Sequence, residues 1–80
     1  MSRREPKAQL YEQFSRIGKA VASPRRLELL EILAQGERPV DALASATAQS
    51  VANASHHLQV LREARLVEAR KEGTFVFYRL

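Results

Sequence analysis

Apolar residues return every three or four positions through most of this chain, then every second position near its end. Between Ala8 and Ala22, the residues Leu10, Phe14, Ile17 and Val21 fall at spacings of four, three and four. That is one stripe of an amphipathic helix. Tyr11, Gly18 and Ala22 form a second stripe beside it. The apolar surface is then wider than one small core needs, and Gly18 lets another helix come close at a cost of about 1 kcal/mol in helix propensity. Two readings stand: a broad core face, or a helix shared with a second subunit.

Ser23-Pro24 marks the next start, because serine caps free N–H groups and proline fits the first helical position without losing a bond. The pattern predicts a helix from Pro24 to about Gln35, with Leu27, Leu30, Leu33 and Ala34 on one face and Leu29 and Ile32 widening it. Gly36 supplies its stop. On this pattern it is the most buried helix. From Pro39, Val40, Leu43 and Ala44 predict a short helix ending near Thr47. After a break at Ala48-Gln49, Ser50 reads as the N-cap of a helix reaching about Ala64, with Asn53 at its third position. Beyond Arg65 the period becomes two: Leu66 to Lys71 and Thr74 to Leu80 are rich in Val, Phe, Tyr and Thr, and Glu72-Gly73 between them signals a turn. Alternation puts Val76, Tyr78 and Leu80 on one face of this hairpin and Phe75, Phe77 and Arg79 on the other. Residues 1–7, polar and interrupted by Pro6, read as a flexible arm before a single domain at 8–80. The fold class is α+β, four helices followed by a two-stranded hairpin.

Composition narrows the function. Eighty residues hold one domain near the lower limit of independent stability, with no room for a large catalytic cleft. The absence of cysteine excludes a disulfide framework, a thiolate zinc site, a cysteine nucleophile and a thiol redox sensor within these residues. No apolar run approaches the roughly 20 residues needed to cross a bilayer. A cytoplasmic protein without membrane contact is expected. The net charge of +4 suits a polyanionic partner only through its distribution, since residues 41–60 carry Asp41 alone while both ends are basic.

Rotating the helix at Ser50–Ala64 by about 100° per residue collects Ala54, Leu58 and Leu61 in one sector, with Val51 at its margin. The opposite sector holds Ala52, Asn53, His56, Gln59 and Glu63, flanked by Ser55 and His57. An uncharged, hydrogen-bonding surface with small residues suits the DNA major groove, whose base edges offer donors, acceptors and thymine methyl groups. The helix N-terminus favours a neighbouring phosphate. The alternative is a solvated face. His56 and His57, adjacent and therefore about 100° apart, cannot chelate one ion together, and no nucleophile–base constellation can be assembled. Neither catalysis nor a metal site is expected. Arg70 and Lys71, at the hairpin turn with Arg62 and Arg65 upstream, can lie on a phosphate backbone. Phe75 and Phe77 call for a cover if Val76 and Tyr78 face the helices.

Three stretches, Ala22-Ser-Pro-Arg-Arg-Leu-Glu-Leu-Leu, Ser50-Val-Ala-Asn-Ala-Ser-His-His-Leu-Gln-Val-Leu, and Ala64-Arg-Leu-Val-Glu-Ala-Arg-Lys-Glu-Gly with Tyr78-Arg-Leu, resemble the ArsR family of bacterial winged-helix repressors. The wording of Tyr11-Glu-Gln-Phe through Leu33 and of Ser50 through Gly73 is most similar to the subgroup in which this domain precedes a rhodanese-like domain. The resemblance implies a winged helix-turn-helix homodimer that binds a double-stranded operator and is released by an effector. It implies DNA contacts at Val51, Ala52, Asn53, Ser55 and His56 on the recognition helix, to which the cap and the exposed sector add Ser50 and Gln59, and at Arg70 and Lys71 on a wing at about Arg70–Gly73. Leu10, Tyr11, Phe14, Gly18, Phe75 and Phe77 are then expected to form a dimer or partner surface. Pro39 and Asp41 stand where the family's metal motif has cysteines, so no cofactor or metal is expected. Ala48 and Gln49 replace the usual glycine and leucine of the bend, and an alanine there is strained if the position needs positive φ. The family continues past the Tyr-x-Leu strand into a last helix, so that helix and any further domain are expected to lie outside these residues, leaving a monomer or weak dimer. The competing function is a winged-helix protein-interaction module that docks a partner through its first helix and strand face.

Overall fold

The computed structural model describes residues 6–80. Residues 1–5 of the expected arm lie outside the described residues, and Pro6 and Lys7 open the first helix instead of preceding it. Helices α1 (Pro6–Val21) and α2 (Pro24–Leu33) are followed by strand β1 (Arg38–Pro39), helices α3 (Val40–Ala46) and α4 (Val51–Glu63), and strands β2 (Glu68–Glu72) and β3 (Phe75–Arg79). The winged helix-turn-helix fold is as expected, except that the sheet has three antiparallel strands in the order β1-β3-β2. Arg38 pairs with Tyr78 and Pro39 with Phe77, so the segment before α3 seals the free side of the hairpin.

The elements begin where local chemistry allows. Ser23 accepts the Arg26 N–H ahead of Pro24, and Ser50 accepts the Asn53 N–H at 3.0 Å. Each cap satisfies a helix N–H that has no partner within its own helix. The ends of α3 and α4 share one device. After α3, the Ala48 N–H bonds the Ser45 carbonyl and the Gln49 N–H bonds the Ala44 carbonyl; after α4, the Arg65 and Leu66 N–H groups bond Arg62 and Leu61. This is the Schellman arrangement, which requires a left-handed residue and usually employs glycine. Here Ala48 (φ 54°) and Arg65 (φ 62°) fill the position, and neither advertises itself as a helix stop. The hairpin turns at Gly73-Thr74, one residue later than expected, with Glu72 pairing Phe75.

Leu29 and Leu33 of α2, Leu43 of α3, Leu58 and Leu61 of α4, with Ala20, Ala64, Val67 and Tyr78, make the core. Burying each leucine contributes roughly 1.5–3 kcal/mol. The expected face of α2 is corrected, because its core residues are Leu29 and Leu33 one turn apart, while Leu27 is half-exposed and Ala34 lies at the surface. The most buried helix is α4, whose Ala54, Leu58 and Leu61 are all fully covered. On α1 only Ala20 is buried, with Ile17 and Val21 partly covered. Its other stripe residues, Leu10, Tyr11 and Phe14, stand 50–59% exposed. Leu80, expected to pack beside Tyr78, is also exposed.

Candidate nucleic-acid interface

With Ala54, Leu58 and Leu61 turned inward, α4 presents Ala52, Asn53, His56 and Gln59 to solvent and Ser55 at the margin. Val51, at the first position after its cap, is 48% exposed. The seven residues expected on this helix, Ser50 through Gln59, therefore share one exposed or half-exposed strip with no charged side chain in it. Such a strip can come close to base edges and offer amide, hydroxyl and imidazole groups.

The bend before α4 is fixed by Thr47, a fully buried residue. Its hydroxyl donates to the Leu43 carbonyl at 2.8 Å and accepts from the Gln49 amide at 2.7 Å. Its carbonyl accepts from Arg25 Nη1, so α2 holds the turn that launches the exposed helix. Arg26 does the same for the neighbouring elements. Nε donates to the Ala20 carbonyl at 2.8 Å, Nη2 to the Lys19 carbonyl at 3.1 Å, and Nη1 lies 3.1 Å from His57 Nδ1. A guanidinium has only donors, so Nδ1 must accept and the ring is neutral with its proton on Nε2. Burial lowers the His57 pKa, and the nearby Arg26, His56 and Arg25 lower it further. His57 is thus structural, as its place at the edge of the face suggests. His56 and His57 have ring centroids 5.7 Å apart. Among the described residues, no group of three or more His, Asp or Glu side chains is placed to hold a metal ion.

On the wing, Arg70 and Lys71 do not act as a pair. The register sets Arg70 against Phe77 and Lys71 against Val76, on opposite faces of β2. Arg70 bonds Glu37 and Glu72, each at 2.7 Å, and its guanidinium lies 4.9 Å from the Phe77 ring centroid. The hydrogen bond from Arg70 lowers the Glu37 pKa, and Glu37 and Glu72 raise that of Arg70. Both residues sit in β2 rather than at the turn, and Lys71 is exposed. Phe77 is half-covered, whereas Phe75 stays 53% exposed with its ring 6.3 Å from that of Phe77. Phe75 and the α1 residues Leu10, Tyr11, Phe14 and Gly18 are therefore open to a partner, and Phe77 is partly closed.

Sequence reasoning missed the supports. Arg25, Arg26, Glu37 and Thr47 act across separations of 6 to 33 residues. Periodicity carries no information at that range, and the paired arginines after Ser23-Pro24 were visible only as part of a familial wording.

No helix among the described residues is long and apolar enough to cross a membrane. The family of bacterial regulatory proteins of the arsR type matches residues 23–69. The HTH-type transcriptional regulator Rv0324 of Mycobacterium tuberculosis is 53% identical over 74 residues, which are 92% of this chain and 33% of that protein. A transcriptional repressor SmtB homolog of Synechocystis is 41% identical over 69 residues, covering 86% of this chain and 52% of the relative. The chain thus spans a third to a half of the length of these two relatives. The solution structure of the homodimeric winged helix-turn-helix DNA-binding domain of Mb0332 from Mycobacterium bovis, a possible ArsR-family regulator, superposes with a TM-score of 0.90 at 49% identity, covering all of this chain and 75% of that one. The chain belongs to the arsR family of bacterial transcriptional regulators, of which it is the winged-helix DNA-binding domain.

Proposed function

We propose that the domain reads an operator through the exposed strip of α4 and acts as a repressor in the cytoplasm. Ser50, Val51, Ala52, Asn53, Ser55, His56 and Gln59 face the major groove. Lys71, and Arg70 after exchanging a carboxylate for a phosphate, contact the backbone. The observation that carries this reading is the uncharged strip on α4, capped by Ser50 and anchored from behind by Arg25 and Arg26. A homodimer through Leu10, Tyr11, Phe14 and Gly18 places two such helices on half-sites about 34–36 Å apart. The exposed apolar residues of α1 support it, as does the homodimeric state of the Mb0332 domain.

The resemblance to the rhodanese-associated subgroup, together with a relative three times as long as the matched region, supports a further sulfurtransferase-like domain in the whole protein. Determining the coding sequence that follows Leu80 tests that part. For DNA binding, the labelled domain is titrated with a duplex selected from a random pool. Amide shifts concentrated at Asn53, Ser55 and His56 are expected. Shifts confined to Phe14, Phe75 and Phe77 on adding a protein partner, with none on adding DNA, would replace this reading with an interaction module.

A further inference from the structure

The four residues Ser23 to Arg26 tie together elements that are distant in sequence. Ser23 caps α2, Arg25 holds the α3–α4 turn at Thr47, and Arg26 reaches the last turn of α1 and the middle of α4 at once. The Arg26 bonds to Lys19 and Ala20 satisfy carbonyls at the α1 C-terminus, where a cation is favoured. Those bonds persist whatever the pH. The third Arg26 contact, to His57, is of another kind, because its acceptor is a titratable nitrogen on the helix that presents the candidate DNA-reading strip.

We propose that Arg26 and His57 form a releasable joint that fixes α4 against α1 and α2, and that protonation of His57 Nδ1 opens the joint and weakens binding to duplex DNA. The DNA-binding consequence rests on the reading of α4 given above. A proton taken from solvent by Nδ1 removes the only lone pair that Arg26 Nη1 can use and sets an imidazolium against a guanidinium. Among the described residues, the groups that act on the ring all oppose a positive charge there: Arg26 and Arg25 from α2, and the neighbouring His56 from α4 itself. From α1 come the Lys19 and Ala20 carbonyls, already engaged by Arg26, and the Lys19 cation of its last turn. None of these groups compensates the new charge. His57 lies beside Ser55 and His56 in sequence, so loss of its tether acts on the half of α4 that carries the strip. Arg26 and His57 are positioning residues and do not themselves touch DNA.

The sign of the effect separates this joint from ordinary electrostatics. An added positive charge near DNA tightens binding on its own, whereas opening the joint loosens it. The test compares the wild-type chain with His57→Asn, whose amide oxygen replaces Nδ1 as an acceptor and does not titrate. Affinity for a selected duplex of about 30 base pairs is measured at about pH 7.5 and about pH 5.5. His56 is common to both proteins, so the ratio of their affinities isolates His57. The wild type is expected to lose about fivefold or more relative to the variant on acidification. A constant ratio, or a relative gain by the wild type, overturns the proposal.

A second measurement uses no DNA and no substitution at His57. In spectra of the labelled wild-type chain, the backbone signals of Ala20, Val21 and Ala22 are expected to titrate with the midpoint of the His57 ring, and Arg26→Lys to abolish that response. Signals of α1 that do not follow the ring overturn the joint. If the wild type binds no duplex at either pH, the reading of α4 fails, and the joint stands or falls on these spectra alone.

Discussion

Ala48 holds φ at 54° in the bend before α4, a conformation in which a Cβ meets the backbone unfavourably. It remains there because the two hydrogen bonds to Ser45 and Ala44 close the end of α3 and Arg25 binds the adjacent Thr47 carbonyl. Ala48→Gly is expected to raise stability by about 0.5–1 kcal/mol, relief of strain outweighing the added freedom of the unfolded chain. Urea unfolding checks this; a lower midpoint would show that the left-handed geometry costs less than argued. Asn53 carries the residue-scale test of function, since an Asn amide can contact adenine through two hydrogen bonds. Asn53→Ala is expected to cost about 1–3 kcal/mol of affinity for a selected duplex while leaving the unfolding midpoint unchanged. Equal affinities would remove Asn53 from the reading surface. These two residues differ in how visible they were. Asn53 follows from a cap and a 3.6-residue period, both local. The strain at Ala48 was legible only through the resemblance, in which a glycine usually stands there, since an alanine by itself does not signal a left-handed position.

At the scale of elements, α4 and the wing depend on different physics. The first turn of α4 relies on Ser50, and Ser50→Ala is expected to lower stability by about 1 kcal/mol. Faster hydrogen exchange at Val51, Ala52 and Asn53 would accompany that loss, and unchanged exchange would contradict the role of the cap. On the wing, Lys71→Ala is expected to flatten the salt dependence of duplex binding by about one unit of log–log slope. Arg70→Ala should change the slope less, because Glu37 and Glu72 already match its charge. An equal change for both would mean that Arg70 releases both carboxylates on DNA instead of exchanging one. Capping and periodicity made α2 and α4 legible almost to the residue. Strand β1 was not, since two residues have no alternation to read and exist as a strand only through pairing with Tyr78 and Phe77, some forty positions away. Nor could α1 be resolved, because a double stripe does not say which side meets the core. The answer, mainly Ala20, lay outside both stripes, on the side of the first that faces away from the second.

The whole molecule is elongated, with a radius of gyration of 14.4 Å against about 11–12 Å for a compact chain of this length. On α1, the exposed Leu10, Tyr11 and Phe14 lie before its buried end at Ala20. Phe14→Glu is expected to abolish self-association in sedimentation equilibrium without lowering the unfolding midpoint of the monomer. A wild type that stays monomeric at high concentration would remove α1 as a dimer surface for these residues. Stability should also respond to acid. The His57 pKa is lowered from its ordinary value of 6.5 in the folded state. The unfolded chain therefore takes up more protons below that pH, and stability is lost as pH falls from about 6.5 toward the folded value. Glu37, also lowered, contributes above its ordinary 4.5 and loses that contribution as pH falls through its folded value. A denaturant midpoint flat between pH 7 and the carboxylate range would contradict the His57 part.

The pairing of Pro39 with Phe77 has a consequence for how copies of the domain can meet. One border of the sheet is two residues long and includes a proline that has no N–H to offer, and the other, β2, carries Glu68, Arg70, Lys71 and Glu72. Neither border templates a strand from another molecule. The sheet is closed to growth at its borders, and association that keeps the fold intact is left to the helices and the exposed Phe75 on the face of the sheet.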